Sequence, residues 1–265
     1  MTQYVNTQID SGVATITMLR EDVHNAFDDV MIAQLISAFG GAISNDDVRV
    51  IVLRSTGKNF SAGADLNWMR SMAKKNYQEN LDDAGELANL MKTIATSPKP
   101  TMALVQGAAF GGAVGLVACC DIAVATERAS FCLSEVKIGL IPAVISPYVV
   151  AAMGQRQAQR YFLTAERFKA DKACDFGLVH EVCADGELDN AAAPIIKSLL
   201  GNSPAAMTSA KELIGFVSNE NIDGTIIDGT SERIATIRVS EEGQEGLSSF
   251  LEKRAPNWLI ATSES

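Results

Sequence analysis

Two short glycine-containing segments offer the first chemistry in this chain, Ser61-Ala-Gly-Ala-Asp65 and Ala109-Phe-Gly-Gly-Ala113. Each lies between a stretch that reads as a strand and one that reads as a helix, so each sets backbone N–H groups at or near a helix start. The first N–H groups of a helix have no partner inside it, and the helix dipole makes that end favour negative charge. Glycine removes the Cβ and lets a ligand approach the backbone. Two such ends converging on one point would form an oxyanion hole, which stabilises a carbonyl oxygen as it becomes an enolate. Neither segment is a phosphate fingerprint, because the chain has no G-x-G-x-x-G and no Gly-Lys-Ser/Thr closing a Walker loop.

The elements that must position these loops follow from the apolar pattern. Residues 13–18 alternate apolar and polar, as a half-buried strand does, and residues 48–53 form a β-branched strand. A helix is expected over 28–43, a loop over 56–65, and helix again from 65 to about 72 and over 73–95. In the last of these, Ala84, Leu87, Leu90, Met91 and Ile94 are spaced for burial. Pro98 and Pro100 end it. Residues 101–105 read as a strand, 107–112 as a Gly/Ala-rich turn, 113–120 as a small-residue helix and 122–125 as a strand. Residues 131–133 read as a further strand that runs into a loop carrying Glu135. Short helices are expected at 149–153, 158–164 and 169–176, a strand at 178–182, and helix from 188 onward. Alternating strands and helices followed by helices alone predict an α/β fold with a parallel-rich sheet over 1–190 and a helical region over 191–265.

Composition narrows the class. The 265 residues are 47% hydrophobic and 20% charged, with a net charge of -10, which fits a soluble enzyme and disfavours nucleic-acid binding. Five Cys without a CxxC or zinc spacing point to reduced thiols, a cytoplasmic setting, and neither disulfide framework nor metal. The N-terminal residues lack the basic start and apolar core of a secretory signal, and the uncharged run 107–120 is too short to span a bilayer.

The two loops also stand within a longer series of motifs. Lys58-Asn-Phe-Ser-Ala-Gly-Ala-Asp-Leu66, Val105-Gln-Gly-Ala-Ala-Phe-Gly-Gly-Ala-Val-Gly115 and Glu135-Val-Lys-Ile-Gly-Leu-Ile-Pro142 occur in that order. They are preceded by Arg20 to Phe27, which ends His-Asn-Ala-Phe, and followed by Phe250-Leu-Glu-Lys-Arg254. Together they resemble the enoyl-CoA hydratase/isomerase (crotonase) superfamily across nearly the whole chain. The resemblance implies a spiral of ββα repeats with a C-terminal helical trimerisation region, and a homotrimer or a dimer of trimers. It implies an oxyanion hole from the N–H groups of Ala64 and Gly112 and a catalytic acid at Glu135. It implies coenzyme A contacts from Arg20, His24, Ala26, Lys58, Phe250 and Lys253, and an adenine pocket along Ala62, Gly63, Ala64, Asp65 and Leu66. Gly111 belongs to the second loop, while Trp68, Pro142, Ile141, Val144 and Ile145 are candidates for the acyl pocket. Coenzyme A enters as part of the substrate, so no separate cofactor is implied.

One position departs from that pattern. Family hydratases commonly use two glutamates, and here Gly115 stands where the water-holding one would fall. Its lack of bulk is expected to leave room for water or a small anion. A single Glu135 could move a proton between two carbons, as in isomerases. It could also take the α proton and return it to a hydroxyl leaving from the same face, or act with a bound anion. Residues 107–121 and 133–148, with Asp65-Leu-Asn-Trp-Met69, are similar to bacterial methylglutaconyl-CoA hydratases of leucine and isovalerate breakdown. That resemblance implies hydration of 3-methylglutaconyl-CoA, with Arg70, Lys74 and Lys137 as candidate cations for its distal carboxylate. The rival classes are an isomerase or another hydratase on this scaffold, and a non-catalytic coenzyme A- or RNA-binding scaffold. Glu135 and the acidic balance speak against the last.

Overall fold

The computed structural model describes residues 2–218 and 220–259. Strands β1 (Val5–Asp10) and β2 (Val13–Met18) form a hairpin, and helix α1 (Asp29–Ser44) starts where the Asp28 carboxylate accepts the Met31 N–H. After β3 (Val50–Ser55) come α2 (Leu66–Met72) and α3 (Tyr77–Ala95), the latter begun by a capping box between Asn76 and Glu79. The chain continues as β4 (Thr101–Val105), β5 (Ala108–Phe110), α4 (Gly112–Cys119), β6 (Ile122–Thr126) and β7 (Ser130–Cys132). Next are α5 (Ser146–Thr164), β8 (Phe168–Lys169), α6 (Ala170–Asp175) and β9 (Glu181–Cys183). Four helices close the described chain: α7 (Leu188–Gly201), α8 (Pro204–Val217), α9 (Gly224–Val239) and α10 (Glu241–Glu252).

The larger sheet has the order β1-β2-β3-β4-β6-β9, parallel except for the β1–β2 pair. β4 is buried along its whole length and β3 nearly so, because both faces of a parallel sheet are covered. One face packs into the main core with Leu35, Phe39 and Met91; the other receives Leu188, Ala192 and their neighbours from α7. A smaller sheet, β5-β7-β8, stands beside it. Successive passes thus give one strand to each sheet and then a helix, as in β4-β5-α4 and β6-β7-α5. This is the mixed α/β architecture expected from the motifs.

Some elements differ from the sequence reading. Residues 108–110 are a strand rather than a turn, because β5 pairs with β7 and Ser61 bridges Ala109. β1 was not expected; its residues are mostly exposed, so no buried alternation marks it. β3 lies two residues later than expected. α5 breaks at Gly154 (φ 78°), which separates the two short helices read from the sequence. The expected division at residue 190 falls inside α7. The last three helices are tied to the body by a Lys211–Asp121 ion pair (2.6 Å) and by Arg49, which donates to the carbonyls of Trp258 and Asn202. No helix of the described residues is long and apolar enough to cross a membrane.

Candidate active site

The fold brings the two glycine loops together through backbone pairing. Ser61 bridges Ala109 in parallel, the Ser61 N–H donates to the Ala108 carbonyl (2.9 Å), and the Phe110 N–H donates to the Ser61 carbonyl (3.0 Å). On the other side Phe27 bridges Ala64: its N–H donates to the Gly63 carbonyl and its carbonyl accepts the Asp65 N–H, both at 2.9 Å. Gly63 is required here, since a Cβ would stand 2.7 Å from the Phe110 carbonyl oxygen on a backbone with φ +91°. A Cβ on Gly112 would stand 2.6 Å from the Phe27 ring, so the glycine lets that ring fit against the second loop. Ala64 and Gly112 line one cavity of about 570 Å³. Among the described residues neither N–H donates a hydrogen bond, as the start of α4 and the loop before α2 lead one to expect.

Glu135 lines the same cavity. It opens a 3-10 turn, Glu135–Ile138, that Gly139 ends in a left-handed conformation. A Cβ on Gly111 (φ 55°, ψ -128°) would lie 3.3 Å from Glu135 Oε1, so the second loop runs against this carboxyl group. Glu135 Oε2 is buried and has no hydrogen-bond partner among the described residues. Burial therefore pushes the carboxyl pKa above the ordinary range, offset in part by a backbone hydrogen bond. Phe27, Trp68, Leu87, Ile141, Pro142 and Ile145 make most of the remaining wall apolar. The arrangement sets a proton-avid carboxyl group beside two free N–H donors at an apolar cavity, which suits proton transfer next to a carbonyl.

Gly115 does not leave room for water or an anion. A Cβ there would meet Ile145 Cγ2 at 2.2 Å and Met91 Sδ at 3.2 Å, because these two buried side chains occupy the space. Neither an anion-assisted step nor a water held beside Gly115 finds space in this packing.

The expected coenzyme A residues divide into three groups. Arg20 and Asp65 are paired with each other inside the protein as a clamp. The Arg20 guanidinium pairs with Asp28 and Asp65, both at 3.0 Å, donates to the Ala26 carbonyl (2.7 Å) and lies over the Tyr4 ring. Asp65 also accepts the Asn67 and Trp68 N–H groups at the start of α2. Burial pushes its pKa up, but these bonds and Arg20 outweigh that and hold it below the usual carboxylate range. His24, Lys58, Ala62 and Leu66 are exposed around the first loop, joined by the Ala62 N–H on the His24 carbonyl and by His24 Nδ1 against Asn59. Ala26 is buried beside them. Phe250 (80% exposed) and Lys253 lie at the end of α10 and do not line this cavity within one chain.

Trp68 lines the cavity with its Nε1 buried and unpartnered among the described residues. Arg70, Lys74 and Lys137 do not line it: all three are exposed, and Arg70 donates to Asn67 instead. Sequence reasoning missed Phe27 as a wall residue, along with Met72, Asn80 and Asp83. The helical spacing of Asn80, Ala84 and Leu87 was the available signal for the α3 part.

The family model for enoyl-CoA hydratase/isomerase matches residues 8–260, and the chain belongs to that family. A crystal structure of an enoyl-CoA hydratase from Shewanella pealeana is 56% identical, with a TM-score of 0.95 over 97% of this chain and 96% of that one. A Legionella pneumophila protein assigned as an enoyl-CoA hydratase/isomerase (crotonase) is 48% identical, with a TM-score of 0.92 over 96% and 98%. The 2,3-dehydroadipyl-CoA hydratase of Escherichia coli K12 is 28% identical over 93% of this chain and 94% of its own.

Proposed function

We propose that this chain catalyses reversible hydration of a 2-enoyl-CoA thioester, with Glu135 as its acid/base. The observation that carries the reading is the proton-avid Glu135, its Oε2 buried, set with the free N–H groups of Ala64 and Gly112 around one cavity. The thioester oxygen accepts both N–H groups, which stabilise the charge it gains. In the dehydration direction Glu135 takes the α proton and returns it to the β-hydroxyl as the C–O bond breaks on the same face, releasing water. Hydration is the reverse.

Among enoyl-CoA substrates the proposal is 3-methylglutaconyl-CoA, giving 3-hydroxy-3-methylglutaryl-CoA in leucine and isovalerate degradation. Residues 107–121 and 133–148 support it by their resemblance to such hydratases, and the Escherichia coli relative is named for another dicarboxylic acyl group. A cytoplasmic homotrimer or dimer of trimers belongs to the same proposal. Exposed Val239, Phe250 and Leu251 would be covered there, and Phe250 and Lys253 would reach a neighbouring subunit's coenzyme A. A second reading, an enoyl-CoA isomerase, draws support from the Ile145 side chain filling the space beside Gly115, which leaves no carboxylate there to pair with Glu135.

The test is turnover of 3-methylglutaconyl-CoA, crotonyl-CoA and a 3-enoyl-CoA. Preferred hydration of the first supports the proposal. Bond migration in the 3-enoyl substrate without hydration of either 2-enoyl substrate would replace it with the isomerase.

A further inference from the structure

Besides Glu135, the charged and amide side chains that line the acyl cavity among the described residues are Asn80 and Asp83. Helix α3 turns Asn80, Asp83, Ala84 and Leu87 toward it, the spacing of one helix face. Met91, the next residue on that face, reaches the space beside Gly115. At 1.5 Å per residue, Asp83 and Asn80 lie about 12 and 16 Å along the helix axis from Met91.

No lysine or arginine among the described residues lines the cavity, but Lys75 is bonded to three residues that do. Its N–H donates to the Met72 carbonyl (3.1 Å), its carbonyl accepts Asn80 Nδ2 (3.0 Å), and its ammonium donates to Asp83 Oδ2 (2.5 Å). We propose that Lys75 selects an acyl tail that ends in a carboxylate, with Asp83 holding its ammonium where Asn80 and Asp83 line the cavity.

This rests on the hydratase reading above and names the residue that would recognise the distal group of its substrate. Asn80 cannot take that part, since Nδ2 already donates to the carbonyls of Lys75 and Asn76 and leaves an acceptor oxygen. Asp83 is also an acceptor. Lys75 has three N–H donors, and Asp83 is its one side-chain partner among the described residues. Asp83, Asp29 and Glu79 keep the ammonium protonated, and Glu79 is itself bound to the Asn76 N–H. A substrate carboxylate would complete a carboxylate–ammonium–carboxylate row.

The experiment compares kcat/KM for 3-methylglutaconyl-CoA and 3-methylcrotonyl-CoA, which lacks the distal carboxylate. It uses wild type, Lys75→Gln, Lys75→Arg and Asp83→Asn, with melting curves for each. Lys75→Gln is expected to lower the wild-type ratio about two- to fivefold, mostly through KM, as loss of one half-exposed charge contact would. Lys75→Arg should keep most of the ratio, and Asp83→Asn should keep part of it, because the cation remains and the new amide's carbonyl oxygen still accepts from it. An unchanged ratio in folded Lys75→Gln, with wild type preferring the dicarboxylic substrate, overturns the Lys75 assignment alone. Equal loss in Asp83→Asn and Lys75→Gln also overturns it, since the pair would then only brace α3. A wild type that hydrates neither substrate instead overturns the hydratase reading.

Discussion

Gly115→Ala adds one methyl group where the packing has no room for it. The new Cβ would stand 2.2 Å from Ile145 Cγ2, 2.7 Å from Ile145 Cβ and 3.2 Å from Met91 Sδ. Ile145 is 2% exposed and Met91 0%, so neither can swing into solvent. Overpacking a core in this way costs about 1–3 kcal/mol, and so close an approach belongs at the upper end. Replacing Gly by Ala inside a helix returns about 1 kcal/mol. The net loss is about 2 kcal/mol, or a Tm about 4–8 °C lower for a chain of this size. Calorimetry and urea unfolding at one fixed protein concentration would measure it. Ile145→Ala alone should cost about 3 kcal/mol through the cavity it leaves. The double variant should lose at least about 1 kcal/mol less than the two single losses added, because the new methyl enters that cavity. A Gly115→Ala protein as stable as wild type, or strict additivity in the cycle, would refute the claim that Ile145 and Met91 occupy the place of a second glutamate.

Other perturbations test the rest of the site. A carboxyl group whose pKa is raised on folding contributes stability that is complete below the ordinary Glu range and is lost as pH rises through the raised value. Glu135→Gln should therefore gain stability relative to wild type as pH rises above about 4, and melting curves from acid to neutral pH would show it. Wild-type turnover in the dehydration direction should rise with pH through that same raised value. Arg20→Ala leaves Asp28 and Asp65 without their cation and should cost about 3 kcal/mol, with a higher KM for coenzyme A thioesters as the first loop loosens. Unchanged melting would contradict the clamp. Gly111→Ala forces a side chain onto a left-handed backbone facing Glu135 Oε1. It should cost about 1–3 kcal/mol and lower turnover at least tenfold, read from melting and steady-state rates.

The loops and the place of Glu135 were legible because their signals are local. Glycines at strand–helix junctions mark Gly63, Gly111 and Gly112, and the motif order marks Glu135. The contact beside Gly115 was not legible, since Ile145 lies thirty residues away and only the tertiary packing sets it there. β5 was read as a turn because Ala and Gly carry weak strand preference, and its pairing with β7 overrides that. The Arg20–Asp65 ion pair was not legible, since its members lie forty-five positions apart in sequence. The apolar spacing of α3 marked Ala84, Leu87 and Met91 for burial but could not say that Asn80 and Asp83 face a cavity.

Deuterium incorporation at the α carbon of a 3-hydroxyacyl-CoA in D2O, with wild type and Glu135→Gln, tests the central claim most directly. The account predicts that the variant binds the thioester within about twofold of wild type, while exchange and turnover both fall by about 10²–10⁴-fold, the range of a general acid/base. Exchange near the wild-type rate in Glu135→Gln would contradict it and assign the α proton to another group.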